Sequence, residues 1–178
     1  MHDSTSILNI LLKSIFVGFG FVIPIVTLLK TSNLIKLKFK DLFILTAVQT
    51  VRLAGIIYFL LFLLKTYSKP DYGAFKGSFL VFYWYSPLIY LIVSQVYWLK
   101  KSYMSKPALV TFAISLFILP SELLKMQVWR YIHEYGSLML NFSAFPNLII
   151  DFILNVIVFI FIIITLMLAG NKFKQIKQ

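Results

Sequence analysis

The 178-residue chain has no cysteine, two histidines and six acidic residues against seventeen basic ones. Without cysteine there are no structural disulfides, thiolate metal sites, iron–sulfur clusters or cysteine nucleophiles. His2 and His133 alone leave too little to clamp a haem or build a metal centre, so no cofactor is expected. The six carboxylates are scattered, with no pair at catalytic spacing. Charge of both signs is scarce, at 13% of the chain, whereas an ordinary soluble domain carries about a quarter. Apolar residues make up 60% of the chain and the mean hydropathy is +0.89, more than a soluble domain of this size can hide. The composition therefore predicts an all-α integral membrane protein.

A helix needs about 20 mostly apolar residues to cross a hydrocarbon core of about 30 Å, and it satisfies its own backbone on the way. Five segments meet this demand, at about 7–29, 42–64, 78–99, 108–124 and 148–169. The fourth is the least regular, because Pro120 lies near its end, and dropping it gives a bundle of four. The segments are continuously apolar and lack the strict alternation of barrel strands. No repeat, linker or second domain interrupts them, so residues 1–178 read as a single transmembrane domain. The stretch MHDSTS before the first span has no basic region, which argues against a cleaved signal peptide.

The net charge of +11 is spread through short connections, which argues for membrane orientation and against direct nucleic-acid binding. With the N-terminus outside, ten lysines fall on the cytoplasmic side, namely Lys30, Lys36, Lys38, Lys40, Lys100, Lys101, Lys106, Lys172, Lys174 and Lys177. Five basic residues fall outside, and the excess of Lys and Arg within favours N-out, C-in. That inner face is a dock for anionic headgroups or an acidic protein partner.

The polar residues inside spans are the costly ones. Arg52 sits about 15 Å beyond Leu42 along a helix, near the bilayer midplane, and needs other helices or water around it. Gln49 shares its face. Lys13, Glu122, Asp151 and Asn155 fall in the outer half of the same bundle, and an ion pair of Arg52 with Asp151 or Glu122 is expected to fix helix register. The other reading is a water-filled vestibule lined by these six residues. Ser14 and Gly18 have small-residue spacing, which suits a packing seam within one subunit or an interface between copies. In the third span, Tyr83, Trp84, Tyr85, Tyr97 and Trp98 read as two aromatic belts, with a kink at Pro87.

Residues 121–146 are too polar to cross and too apolar for a free loop. Helical spacing of their apolar residues predicts an amphipathic helix in the outer interface, offering Trp129, Arg130, Tyr131, Glu134 and Tyr135 as a contact surface. His133-Glu134 opens like the zinc-protease H-E-x-x-H, but Ser137 stands where the second histidine belongs. Asn141-Phe142-Ser143 fits the glycosylation pattern, yet the lysine- and isoleucine-rich composition is that of low-GC bacteria. No phosphate-binding loop, G-x-S-x-G or dinucleotide fingerprint occurs.

This outline of several spans, little loop and no cofactor motif resembles the accessory subunits of bacterial membrane complexes. It is also similar in outline to the membrane subunits of two-component phage-defence systems. The resemblance implies a non-enzymatic subunit of the bacterial cytoplasmic membrane that forms homo-oligomers or anchors, or senses for, a partner. A small transporter or channel with a polar pathway around Arg52 is the alternative. A membrane-embedded lipid enzyme, with Glu122, Glu134 or His133 as acid or base, stands third.

Overall fold

The computed structural model describes residues 3–30, 34–68, 79–99, 105–118 and 145–170. Among these the fold is entirely helical: α1 (Asp3–Leu28), α2 (Leu34–Ser68), α3 (Phe79–Val96), α4 (Lys106–Ile118) and α5 (Phe145–Ala169). The five helices overlap the five apolar segments of the sequence, the end of the fourth (119–124) lying outside the described residues, and two differences are instructive. Helix α2 starts at Leu34 rather than Leu42, because lysines interrupt an apolar run without interrupting a helix; Leu and Lys are both good helix formers. Helix α3 stops at Val96 rather than Leu99, closing in two tight turns in which Trp98 N–H donates to Gln95 O (3.0 Å) and Leu99 N–H to Val96 O (3.1 Å).

Among the described residues, three helices are long and apolar enough to cross a membrane, over Ile7–Leu28, Lys36–Tyr67 and Ile149–Ala169. The apolar stretches Pro87–Val96 in α3 and Lys106–Ile118 in α4 are shorter. The amphipathic segment 121–146 lies outside the described residues except for its last two, which begin α5.

Helix α1 is the hub, packed against α2, α4 and α5, while α2 also meets α3 and α5, and α3 meets α4. Accordingly 56% of the apolar stretch of α1 is buried, against 17% of that of α5. The α2–α3 pair is antiparallel: Arg52 meets Tyr97, Gly55 meets Ser94 and Tyr58 meets Tyr90. Aromatic rings tie α1 into this pair. Phe16 stacks on Tyr90 at 4.0 Å and meets Tyr58 edge-on at 5.7 Å, the latter a T-shaped geometry that ring quadrupoles favour.

Small residues let α1 approach two neighbours at once. A Cβ on Gly18 would lie 2.2 Å from Phe159 Cβ of α5, and one on Gly20 would lie 2.8 Å from the Ala113 carbonyl of α4. Ser14, one turn before Gly18, stands 2.6 Å from the Asn155 side-chain amide and 2.9 Å from Ile10 O. The small-residue spacing on α1 is thus occupied by α5 of the same chain. Phe21 also packs on Phe152 at 4.9 Å. That contact steps backward along α5 as α1 advances, so α1 and α5 cross at an angle. Pro24 and Pro87 both lie within continuous helices.

Candidate functional site

The densest set of polar contacts in the described structure joins the middle of α2 to the end of α3. Arg52, half-buried, points its guanidinium at the last turn of α3, where Nη2 donates to Tyr97 O. The same guanidinium lies over the Trp98 ring, 4.9 Å from its centroid, within cation–π range. Gln95 returns the contact: its Nε2 donates to Arg52 O (3.1 Å) and to Ser94 Oγ (2.9 Å). Its Oε1 accepts from Trp98 Nε1 (2.6 Å), while Ser94 Oγ donates to Leu91 O (2.9 Å). The directions are mutually consistent, with each hydroxyl and amide proton sent to a different acceptor.

The physical cause lies in the chain ending of α3. The final carbonyls of a helix have no partner within it and carry the negative end of its dipole. A cation from a neighbouring helix answers both needs. Gly55 makes this possible, since a Cβ there would fall 1.8 Å from Ser94 Oγ; the two backbones come close enough for Arg52 and Gln95 to exchange bonds one turn away.

Tyr97 departs from the aromatic-belt expectation. It is wholly buried, edge-on to Phe19 (5.3 Å) and Phe112 (6.2 Å), with its hydroxyl donating to Leu109 O at 3.3 Å. A tyrosine tolerates the interior when its hydroxyl finds an acceptor, and here that acceptor is on α4. Trp98 remains exposed.

No family model matches this chain, and no curated protein or solved structure is similar to it. The site is therefore read from its own geometry. Among the described residues, no three His, Asp or Glu side chains are grouped to hold a metal ion. Of the residues singled out in the sequence, Arg52 is engaged with α3 and Asn155 with Ser14 of α1. Lys13, Gln49 and Asp151 are exposed at their places on α1, α2 and α5. Glu122, Trp129, Arg130, Tyr131, Glu134 and Tyr135 lie outside the described residues.

On α3 the partners of Arg52 are a backbone carbonyl and an indole; of the two carboxylates the sequence pointed to, Glu122 lies outside the described residues. Ser94 and Gln95 of α3 both face α2. A carbonyl acceptor has no residue signature, so only the position of the α3 terminus could have identified it. Chemically the arrangement is a clamp: it fixes the register of two helices through charge, ring and amide contacts.

Proposed function

We propose that the chain is a non-enzymatic integral membrane subunit that assembles with itself or anchors a partner. Its spans would follow the five helices, with the N-terminus outside and the lysine-rich face in the cytoplasm. The observation that carries this reading is how the polar and apolar side chains are divided. Arg52, Gln95, Ser94, Ser14 and Asn155 hold helices to one another, whereas α5 turns Ile149, Ile153, Leu154, Ile157 and Phe161 outward. In water such a surface would drive aggregation; in a bilayer it is ordinary lipid- or helix-facing surface.

The absence of cysteine makes the test direct. Single cysteines placed at Lys30 and Lys65 of the full chain are expected to react with an impermeant thiol reagent from opposite sides of sealed membranes. Release of the chain by alkaline carbonate, or labelling of both positions from one side, would overturn the topology. Co-purification from mild detergent tests the subunit reading, and a monodisperse, partner-free monomer would overturn it.

The place where α3 stops, opposite the middle of α2, favours a second reading, a small transporter or channel. Helices broken near the midplane often form ion or solute sites, and Arg52 stands where α3 ends. Flux through liposomes that Arg52→Ala abolishes, while the helix content is kept, would support this reading over the first.

A further inference from the structure

We infer that the first two turns of α2, together with Lys30 at the end of α1, form a basic girdle that binds the phosphate headgroups of anionic phospholipids; this rests on the membrane reading above. The corner is held by Lys40, whose Nζ donates to Thr27 O (2.9 Å) and Leu29 O (2.7 Å). That contact draws the end of α1 against the start of α2. Lys30, Lys36 and Lys38 are left exposed, with Asp41 the one exposed carboxylate on these turns.

Two features select a lipid over a protein. Successive helix positions turn by about 100°, so Lys36 and Lys38 project roughly 160° apart. A protein partner would meet one side of the helix, whereas headgroups surround it. The lysines also alternate with exposed Leu37 and Phe39, giving each side an apolar and a cationic element. This is the composition of a helix segment seated where acyl chains meet headgroups. Lys38 and Lys36 precede Leu42 by about 6 and 9 Å of helix rise, about the depth of one headgroup layer.

The test uses the full chain in mild detergent, with native mass spectrometry against equimolar phosphatidylglycerol and phosphatidylcholine. Phosphatidylglycerol should be retained preferentially. Replacing Lys30, Lys36 and Lys38 by Gln should lower that preference by about fivefold per lysine, the factor matching the usual surface attraction of one cation. Arginine at the same three positions should keep it, and Gln at Lys172, Lys174 and Lys177 should lower it less. Equal retention of the two lipids by the native chain, or an unchanged preference in the Gln variant, would overturn the inference. So would loss of a co-purifying acidic protein in the Gln variant with lipid retention unaltered. Alkaline carbonate extraction of the native chain is scored separately, so failure of the membrane reading is told apart from failure of the girdle.

Discussion

Helix α2 sends a cation to the C-terminus of two different neighbours, and the two contacts are built differently. Lys40 meets the end of α1 with a single ammonium donating to two carbonyls, one of them exposed. Arg52, about 18 Å further along α2, meets the end of α3 with a carbonyl bond, a ring contact and a reciprocal amide from Gln95. The difference follows from where the helices stop. Helix α1 ends beside the basic start of α2, where water can serve its last carbonyls. Helix α3 ends opposite the middle of α2, where α2 continues for many residues on either side, and its carbonyls depend on what the neighbour brings. A flexible point charge suffices at the first place. At the second, a planar donor that can bond and stack at once is the better residue.

Breaking the inner contact should have the largest effect. Arg52→Met removes a charge-assisted hydrogen bond and a cation–π contact, together about 2–4 kcal/mol, measured as unfolding of the purified protein in detergent. Arg52→Lys should recover less than half, because an ammonium cannot lie flat on Trp98 while reaching Tyr97 O. Full recovery by lysine would mean that charge alone matters and that the two helix ends are equivalent after all.

Close approach is the second requirement of the inner contact. In Gly55→Ala the new methyl meets Ser94 Oγ at 1.8 Å and Ser94 Cβ at 2.7 Å. The helices must part, at about 1–3 kcal/mol for overpacking. Ser94→Gly in the same chain should restore most of the loss. If Gly55→Ala is silent, the α2–α3 spacing is set elsewhere and the reciprocal Gln95 bond is incidental.

How much of this was legible beforehand differs between the two ends. The five helices could be read from apolar run length, and Arg52 stood out because a charge in an apolar span has few reasons to be there. Its contact with Tyr97 O could not be read. The run SQVYWLKK holds no Gly or Pro to mark the stop after Val96, and a backbone acceptor belongs to no residue type. Lys40 was legible only as one more basic residue at a membrane boundary. Its cap became visible only once α2 was seen to begin at Leu34, ahead of the apolar run. Ser14 and Gly18 showed that a close contact existed but not whose it was; the answer, Asn155 and Phe159 of the same chain, depends on how α5 crosses α1.

The outer end of the comparison supplies the smallest effects. Lys40→Met should cost about 0.3–1 kcal/mol, the usual value of a cation at a helix C-terminus, and salt should erase it. The Arg52→Met loss should survive the same salt. Beside Lys40 a second asymmetry remains. The Thr27 side chain is buried, and its Oγ1 has no hydrogen-bond partner among the described residues, whereas Ser94 at the inner end both donates and accepts. Leaving a buried hydroxyl unmet is unfavourable, and replacing it with an apolar group of the same shape removes that penalty. Thr27→Val should therefore raise stability slightly, by up to about 1 kcal/mol, while Ser94→Val, which loses two bonds and adds bulk against Gly55, should lower it. A destabilising Thr27→Val would show that the α1 terminus is as fully served as that of α3, and the contrast between the two caps would then reduce to exposure alone.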